Sequence, residues 1–423
     1  MAAAPGRCRE ALPTTLLTLA DELLEEIFLR LPGAADLARA SMASVSFRRL
    51  IADHGFLRRF RGGHLPPLLG VIPSRHRQDD PTHLAQPPHP CAAAASTLAG
   101  FHAAVFSCSF LPSPKRWHRR DLRDGRVLLS GVPEGSKFDC RTLARELAVC
   151  DPLYRRYVLL PAIPDDLAAS VVRLQPQRFE PFLAPPAAAV EDKEEDGMSF
   201  RVICLAQCAT KLVLFIFSRG RGAGAGAGQW RSVTFDNWNA LVAGSDNWAP
   251  CVAYSWPWRR HYAHGCFCWA FYPEGKLIVL DTRTMDFSAV NLPHAGSNQM
   301  QVVILEAGNG RLGMFMNEYL TRELSYVVLR NDGHAANQWQ SEATFSLPLN
   351  QRNMLMGVAG GYLLIHGIPE SFFSFPWAER EDVNVFSLNL KTLQLEPFFA
   401  SKHCIMDGHL FAGFPPSLSP PTI

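Results

Sequence analysis

The chain has 423 residues, 41 basic and 39 acidic, for a net charge of +2. That balance gives no electrostatic footprint for nucleic acid or an anionic membrane, and no Lys/Arg block interleaved with aromatics supplies one locally. At this length two domains are expected, and 48% hydrophobic residues can fill a sizeable core.

Residues 1–15 read as a disordered N-terminus. The apolar stretch Leu16–Ala20 runs straight into Asp21-Glu22, unlike a secretory signal. The longest apolar strand-like run, Leu212–Phe217, is far too short to span a bilayer. Eleven cysteines, an odd number without a framework, suit free thiols in a reducing compartment. The expectation is a soluble protein of the cytoplasm and/or nucleus.

Residues 16–60 read as three short helices. Thr18 and Asp21 offer a cap and an acidic first turn. Leu23, Ile27 and Leu31 then recur at i, i+4 and i+8, with Leu24 and Phe28 widening the face. Pro32-Gly33 stops that helix. A second runs from Ala35-Asp36 through Met42, and Ser44 or Ser46 caps a third carrying Phe47, Leu50 and Ile51. Each buried Leu or Ile contributes only ~2 kcal/mol, so so small a unit wants something else to pack against.

Residues 61–95 are rich in proline and histidine and read as an irregular connection. From residue 96 to 418, short strands alternate with turns. Three stretches repeat one pattern: Leu147–Asp151 leading to Pro161, Leu277–Asp281 leading to Pro293, and Val385–Asn389 leading to Phe398. Each strand ends in Asp or Asn, whose side chain can bond the backbone two residues on. Looser copies end at Phe235 and at Leu347-Pro348. The later ends recur about every 50 residues, the spacing of β-propeller blades. Five blades are visible, and residues 98–132 are expected to supply a sixth through Phe101–Phe110 and the Asp124-Gly125 turn before Arg126–Leu129. An irregular β-sandwich or barrel is the competing fold. Two low-complexity insertions, Glu191–Asp196 and Arg219–Gly228, read as disordered loops.

No catalytic or cofactor pattern emerges. The Gly/Ala loop has glycines in strict alternation and no Gly-Lys-Ser/Thr, so it is not a phosphate loop. Cys204/Cys208 and Cys266/Cys268 lack a second pair at ligand spacing, and His261-x-x-His264 lacks a zincin Glu; no metal is expected. No Gly-x-Ser-x-Gly elbow occurs. A target surface is expected at Trp256, Trp258, Arg259, Arg260 and Tyr262, because Trp, Tyr and Arg dominate interface hot spots and Pro257 argues against a central strand. The arginines there would favour an acidic or phosphorylated target.

Leu19–Pro32, Asp36–Ser41 and Phe47–Ile51 together resemble the F-box. Phe56–Arg61, Pro66–Gly70 and the β region with Phe414–Leu418 resemble the remainder of large plant F-box families. The resemblance implies an α+β multidomain chain: a small three-helix F-box, then a mostly antiparallel all-β domain, a propeller of about six blades. It implies docking on a Skp-type adaptor and, through it, a cullin, with an unknown target protein held for ubiquitination and no catalysis by this chain. The adaptor-facing residues would be Leu19, Leu23, Ile27, Leu31, Pro32, Leu37, Phe47 and Leu50. The family usually has Pro at Ala20, Trp at Phe47 and Val-Cys at Ala43-Ser44, so the grip on the adaptor is expected to be weaker. The alternative function is a propeller that binds a glycan or regulatory partner outside any ligase.

Overall fold

The structure is a computed structural model. It describes residues 19–74, 82–99, 108–133, 139, 141–186, 199–219, 228–236, 238–241, 259–271, 275–293, 300–318, 321–330, 338–348, 351–374, 381–405, 408–414 and 423. The expected disordered N-terminus, Thr18 and both low-complexity insertions fall outside them, apart from Arg219 and Gly228 at strand ends. The chain divides into a helical unit, residues 1–66 with 414–419, and a β unit, residues 67–413 with 420–423.

Among the described residues, four helices make the first unit: α1 (Asp21–Leu29), α2 (Ala34–Ala43), α3 (Val45–Ile51) and α4 (His54–Gly63). Asp21 and Glu22 occupy the first turn of α1, where negative charge meets the helix dipole. The Ser44 side chain accepts from the Ser46 amide at the start of α3. The fourth helix goes beyond the three expected. Asp53 caps it, accepting from the Phe56 amide at 3.0 Å. Phe56, Leu57 and Phe60 are its buried face. The core joins Leu24 and Phe28 of α1 to Leu37, Phe47, Leu50, Phe56 and Phe60, and Phe28 meets Phe47 edge-on at 5.0 Å. Arg59 of α4 reaches Glu25 and Glu26 of α1, both at 2.6 Å.

The second unit is a six-bladed β-propeller. Blade 6 is built from both ends of the unit: β1 (Leu68–Pro73), β2 (His83–Leu84) and β23 (Gly408–Ala412), in the order β2-β1-β23. Blade 1 is β3 (Trp117–Arg123), β4 (Arg126–Gly131), β5 (Leu147–Asp151) and β6 (Arg156–Leu160). Blade 2 is β7 (Arg178–Ala184), β8 (Phe200–Gln207), β9 (Lys211–Arg219) and β10 (Gln229–Asp236). Blade 3 is β11 (His261–Ala263), β12 (Cys266–Phe271), β13 (Lys276–Asp281) and β14 (Phe287–Asn291). Blade 4 is β15 (Met300–Ala307), β16 (Arg311–Glu318), β17 (Glu323–Arg330) and β18 (Gln338–Ser346). Blade 5 is β19 (Gln351–Ala359), β20 (Tyr362–Pro369), β21 (Val383–Asn389) and β22 (Leu395–Ser401). Every pairing is antiparallel, and blades 1 to 5 are meanders in chain order.

The expected sixth blade over 98–132 is therefore reassigned. Asp124-Gly125 does turn β3 into β4, but these strands complete blade 1 with β5 and β6. Residues 101–107 lie outside the described residues, and the closing blade instead joins β1 and β2, from residues read as connection, to β23 at the far end of the β region. Leu68, Leu69, Val71 and Ile72 are buried, and β1 pairs with β23 through Val71↔Leu410 and Ile72↔His409. Pro73 is tolerated because it ends the strand. A short helix also interrupts the β region, α6 (Asp165–Leu174), counted after α5 (Ala92–Ala99). Val171 of α6 packs into the core between blades 1 and 2.

The Asp/Asn turns form as their chemistry predicts. Asp151 Oδ1 accepts from Tyr154 N, Asp281 Oδ1 from Arg283 N at 2.7 Å, and Asn389 Oδ1 from Lys391 N at 2.9 Å. Four residues on, Arg155, Met285 and Leu393 all adopt positive φ to admit the next strand. The same turn thus joins the last two strands of blades 1, 3 and 5. Between blades lie apolar layers: one core cluster joins blades 1 and 2, others join 2 and 3, 3 and 4, 4 and 5, and 5 and 6.

Phe411 is 1% exposed in the layer between blades 5 and 6. Phe411→Ala is expected to cost about 3–5 kcal/mol. Urea unfolding followed by far-UV circular dichroism measures it; a loss under about 1 kcal/mol means the closing strand contributes little.

Candidate functional site

The first strands of the blades neighbour one another around the axis: β3 beside β7, β11 beside β15, β15 beside β19, and β23 beside both β19 and β3. Polar side chains gather where they meet. Arg260, just ahead of β11, donates to Asp121 of β3 at 2.7 Å and to Glu180 of β7 at 2.6 Å. All three side chains are almost fully buried. Asp121 also accepts from the Leu183 amide at 2.8 Å, and Glu180 from Arg178 at 3.3 Å. The Arg260 guanidinium lies 4.4 Å over the Phe182 ring. One cation therefore ties blade 3 to blades 1 and 2. Arg259 turns the other way and donates to the Met356 carbonyl of blade 5. Across blades 4 and 5, the Gln301 carboxamide bonds the Asn353 carbonyl at 3.2 Å and the Leu355 amide at 2.8 Å.

This polar interior shifts its neighbours. Burial would raise the Asp121 carboxyl, but Arg260, Arg123, His409 and the Leu183 amide outweigh it and hold the group below its ordinary range. Burial, then Arg259 and Arg260, push His261 down to about 3. Burial, then Arg259 and His83, push His366 to about 3. Both imidazoles are neutral at physiological pH.

A pocket opens between blades 2 and 3. Its lining is aromatic from Trp238, Trp269, Phe271 and Phe287, aliphatic from Leu205, Leu212 and Ile278, and polar from Arg178, Glu180 and Gln207. Its free volume is about 20 Å³, room for about one water. The Trp238 indole donates to the Cys208 carbonyl at 3.1 Å, and the Trp269 indole to Glu180 Oε2 at 3.4 Å.

The residues singled out in sequence separate into groups. Trp256 and Trp258 lie outside the described residues. Arg260 is engaged by two carboxylates and Arg259 by a carbonyl, so this pair is built into the propeller interior. Tyr262 is half-buried, with Arg123 stacked 4.0 Å over its ring. Of the adaptor-facing set, Leu37, Phe47 and Leu50 are core residues of the helical unit. Leu19 and Leu31 are half-buried against that core, while Pro32 is exposed. Leu23 and Ile27 face outward, 55% and 39% exposed. Met42, Val45 and Leu65 are exposed on the same unit. Cys204 and Cys268 are buried within blade sheets, and burial pushes the Cys268 thiol up to about 12. His264 is exposed, its Nε2 2.9 Å from the Arg311 carbonyl oxygen. Gln207 and Trp269 escaped the sequence reading; the aromatic density near them was visible, but not the inter-blade seam that collects it.

No family model matches the chain, and no curated protein matches it. Among solved structures, it is similar to an oligogalacturonate lyase in complex with manganese, at 8% identity and a TM-score of 0.30, over 64% of this chain and 61% of that one. It is also similar to prolyl oligopeptidase B from Galerina marginata in its apo form, at 11% identity and a TM-score of 0.29, over 72% and 40%. The chain covers less than two thirds of the length of either protein, and likeness at this level carries no argument about function. Among the described residues no helix is long and apolar enough to cross a membrane.

Two tests follow from the buried charges. Arg260→Met removes the cation shared by two buried carboxylates, leaving Glu180 only the Arg178 cation, and is expected to cost about 3–5 kcal/mol. The triple variant Arg260→Met/Asp121→Asn/Glu180→Gln is expected to cost less than the single one; urea midpoints at pH 7.5 compare them. His261 and His366 bind protons more weakly folded than unfolded, so unfolding takes up protons and stability falls as pH drops below 6.5 toward 3. At pH 5 these two sites contribute close to two protons of uptake. His261→Phe/His366→Phe is expected to flatten the pH dependence of the urea midpoint by that amount, and an unchanged slope refutes the assignment.

Proposed function

We propose that this chain is a non-catalytic, substrate-recruiting subunit of a Skp-cullin-F-box ubiquitin ligase of the cytoplasm and/or nucleus. In this reading the helical unit docks on a Skp-type adaptor, which carries the cullin, and the propeller holds a target protein. The chain then works by raising the target's effective concentration at a ubiquitin-charged enzyme.

One observation carries the docking reading. Leu23 and Ile27 stand one helical turn apart on α1 and face outward, in the segment whose sequence resembles the F-box. Leu24 and Phe28 on the same helix supply the inward packing, so the unit does not use the outward pair for its own core. An apolar ridge left on a folded surface marks a site of association. Leu37, Phe47 and Leu50 act at one remove, by holding the helices that present it. The departure at Phe47 accordingly bears on internal packing, where the ring meets Phe28, while Ala43 is exposed.

Because Leu23 and Ile27 are exposed, Leu23→Asp/Ile27→Asp is expected to leave the fold intact and remove the ridge. Co-purification with a Skp-type adaptor and a cullin should fall at least tenfold against wild type, with circular dichroism unchanged. Undiminished recovery of both would sink the proposal and favour a propeller acting outside a ligase.

A further inference from the structure

We infer that Cys108 and Cys150 are a redox-active pair, closed by a peroxide into a reversible disulfide that staples the chain segment ahead of β3 to blade 1. The inference does not rest on the ligase reading and involves no residue of the helical unit.

The pair follows from how blade 1 is covered. Leu147 and Val149 of β5 pack toward blade 2, so Ala148 and Cys150 point to the opposite face. Blade 6, the neighbour on that side, has three strands where the other blades have four. Among the described residues, none of its strands enters the apolar layer around Cys150. Cys108, Phe110 and Leu111 cover that layer instead, against Trp117, Val127 and Leu129. Cys108 holds a left-handed backbone, φ 50°, which is uncommon for a residue with a Cβ. Its side chain meets Cys150 directly: the two thiols are hydrogen-bonded to each other, at residues 2% and 0% exposed.

The roles of the two sulfurs differ. The Cys150 thiol donates to the Cys108 sulfur, and Arg119 adds positive charge nearby. Together these outweigh burial and hold Cys108 below the ordinary thiol range. The same hydrogen bond, then burial, keep Cys150 protonated above that range. Cys108 is therefore the thiolate that attacks, and Cys150 the thiol that resolves. Attack on hydrogen peroxide forms an S–O bond and breaks the O–O bond. The released hydroxide takes up the proton that Cys108 gave up, leaving one water and a Cys108 sulfenic acid. The Cys150 sulfur then displaces the sulfenic hydroxyl. The S–S bond forms, the S–O bond breaks, and the hydroxyl leaves with the Cys150 proton as a second water. The two sulfurs give two electrons to the peroxide, and a dithiol reductant returns them. Peroxide is close to water in size, and Cys108 adjoins the exposed Ser109, so local lifting of residues 108–111 admits it.

The test exposes the folded full-length chain to hydrogen peroxide, quenches with N-ethylmaleimide and maps peptides by mass spectrometry with and without dithiothreitol. The principal linked peptide is expected to join Cys108 to Cys150 and to vanish on reduction. Because the bond closes a loop of about forty residues, the urea midpoint of the oxidised chain is expected to rise above that of the reduced chain. Cys150→Ala is expected to abolish the linked peptide, let Cys108 run on to sulfinic acid and remove the midpoint shift. The inference is overturned if the folded wild type yields no Cys108–Cys150 peptide, if another pair dominates, or if the pair forms only in urea. It is equally overturned if oxidation leaves the midpoint unchanged or lower. Adaptor co-purification bears on none of these outcomes, so the two proposals fail separately.

Discussion

The constraint behind the β unit is that its sheets are apolar on both faces. All eight residues of β8 are buried, and so are the six from Leu212 to Phe217 in β9. A sheet of this kind cannot leave either face in water; it needs a neighbour on each side. The large core clusters follow, shared between adjacent blades, while two smaller ones lie within blades 1 and 5. A row of such sheets has two unsatisfied ends until it closes into a ring. Blade 6 closes it by drawing strands from both ends of the unit.

Where the ring narrows, apolar packing gives way to polar connections, and these are selective. Arg260 meets carboxylates on two different blades, while Gln301 fits the backbone of blade 5. Buried charges of this kind add little net stability, because desolvation offsets attraction. Their contribution is to penalise wrong neighbours, since a misplaced blade would strand a charge. The helical unit works differently. It has its own aromatic core, and what it leaves over is an outward apolar ridge.

Local chemistry was legible in the sequence. Asp281 and Asn389 announced their turns because an Asx side chain bonds the backbone two residues away, and Asp151 did so by bonding Tyr154, three residues on. The blade ends that follow these turns, near 161, 293 and 398, fell close to the observed strand ends at Leu160, Asn291 and Ser401. Long-range features were not legible. Arg259 and Arg260 read as exposed beside Trp256-Pro257-Trp258, because Glu180 lies 80 residues earlier and nothing local announces it. Blade 6 was missed because its two halves never meet in sequence. On α1 the broad apolar face Leu23-Leu24-Ile27-Phe28 gave the helix but not its orientation, and only packing separates the buried pair from the exposed one. Gln207 looked like an ordinary strand end until its neighbours across the seam were known.

Ring closure by β1 and β23 has a consequence for how the protein is made. Ser74 at the end of β1 and His409 of β23 are bonded across 335 residues of chain. At about 5–20 residues per second, a ribosome needs roughly twenty seconds to a minute to deliver the second after the first. Throughout that interval β1 is an open apolar edge and blade 1 lacks one neighbour, and blade 5 joins it in that state once residue 401 has emerged. The nascent propeller is thus a sticky intermediate by construction, and its yield in a cell depends on what shields that edge until the last strand emerges.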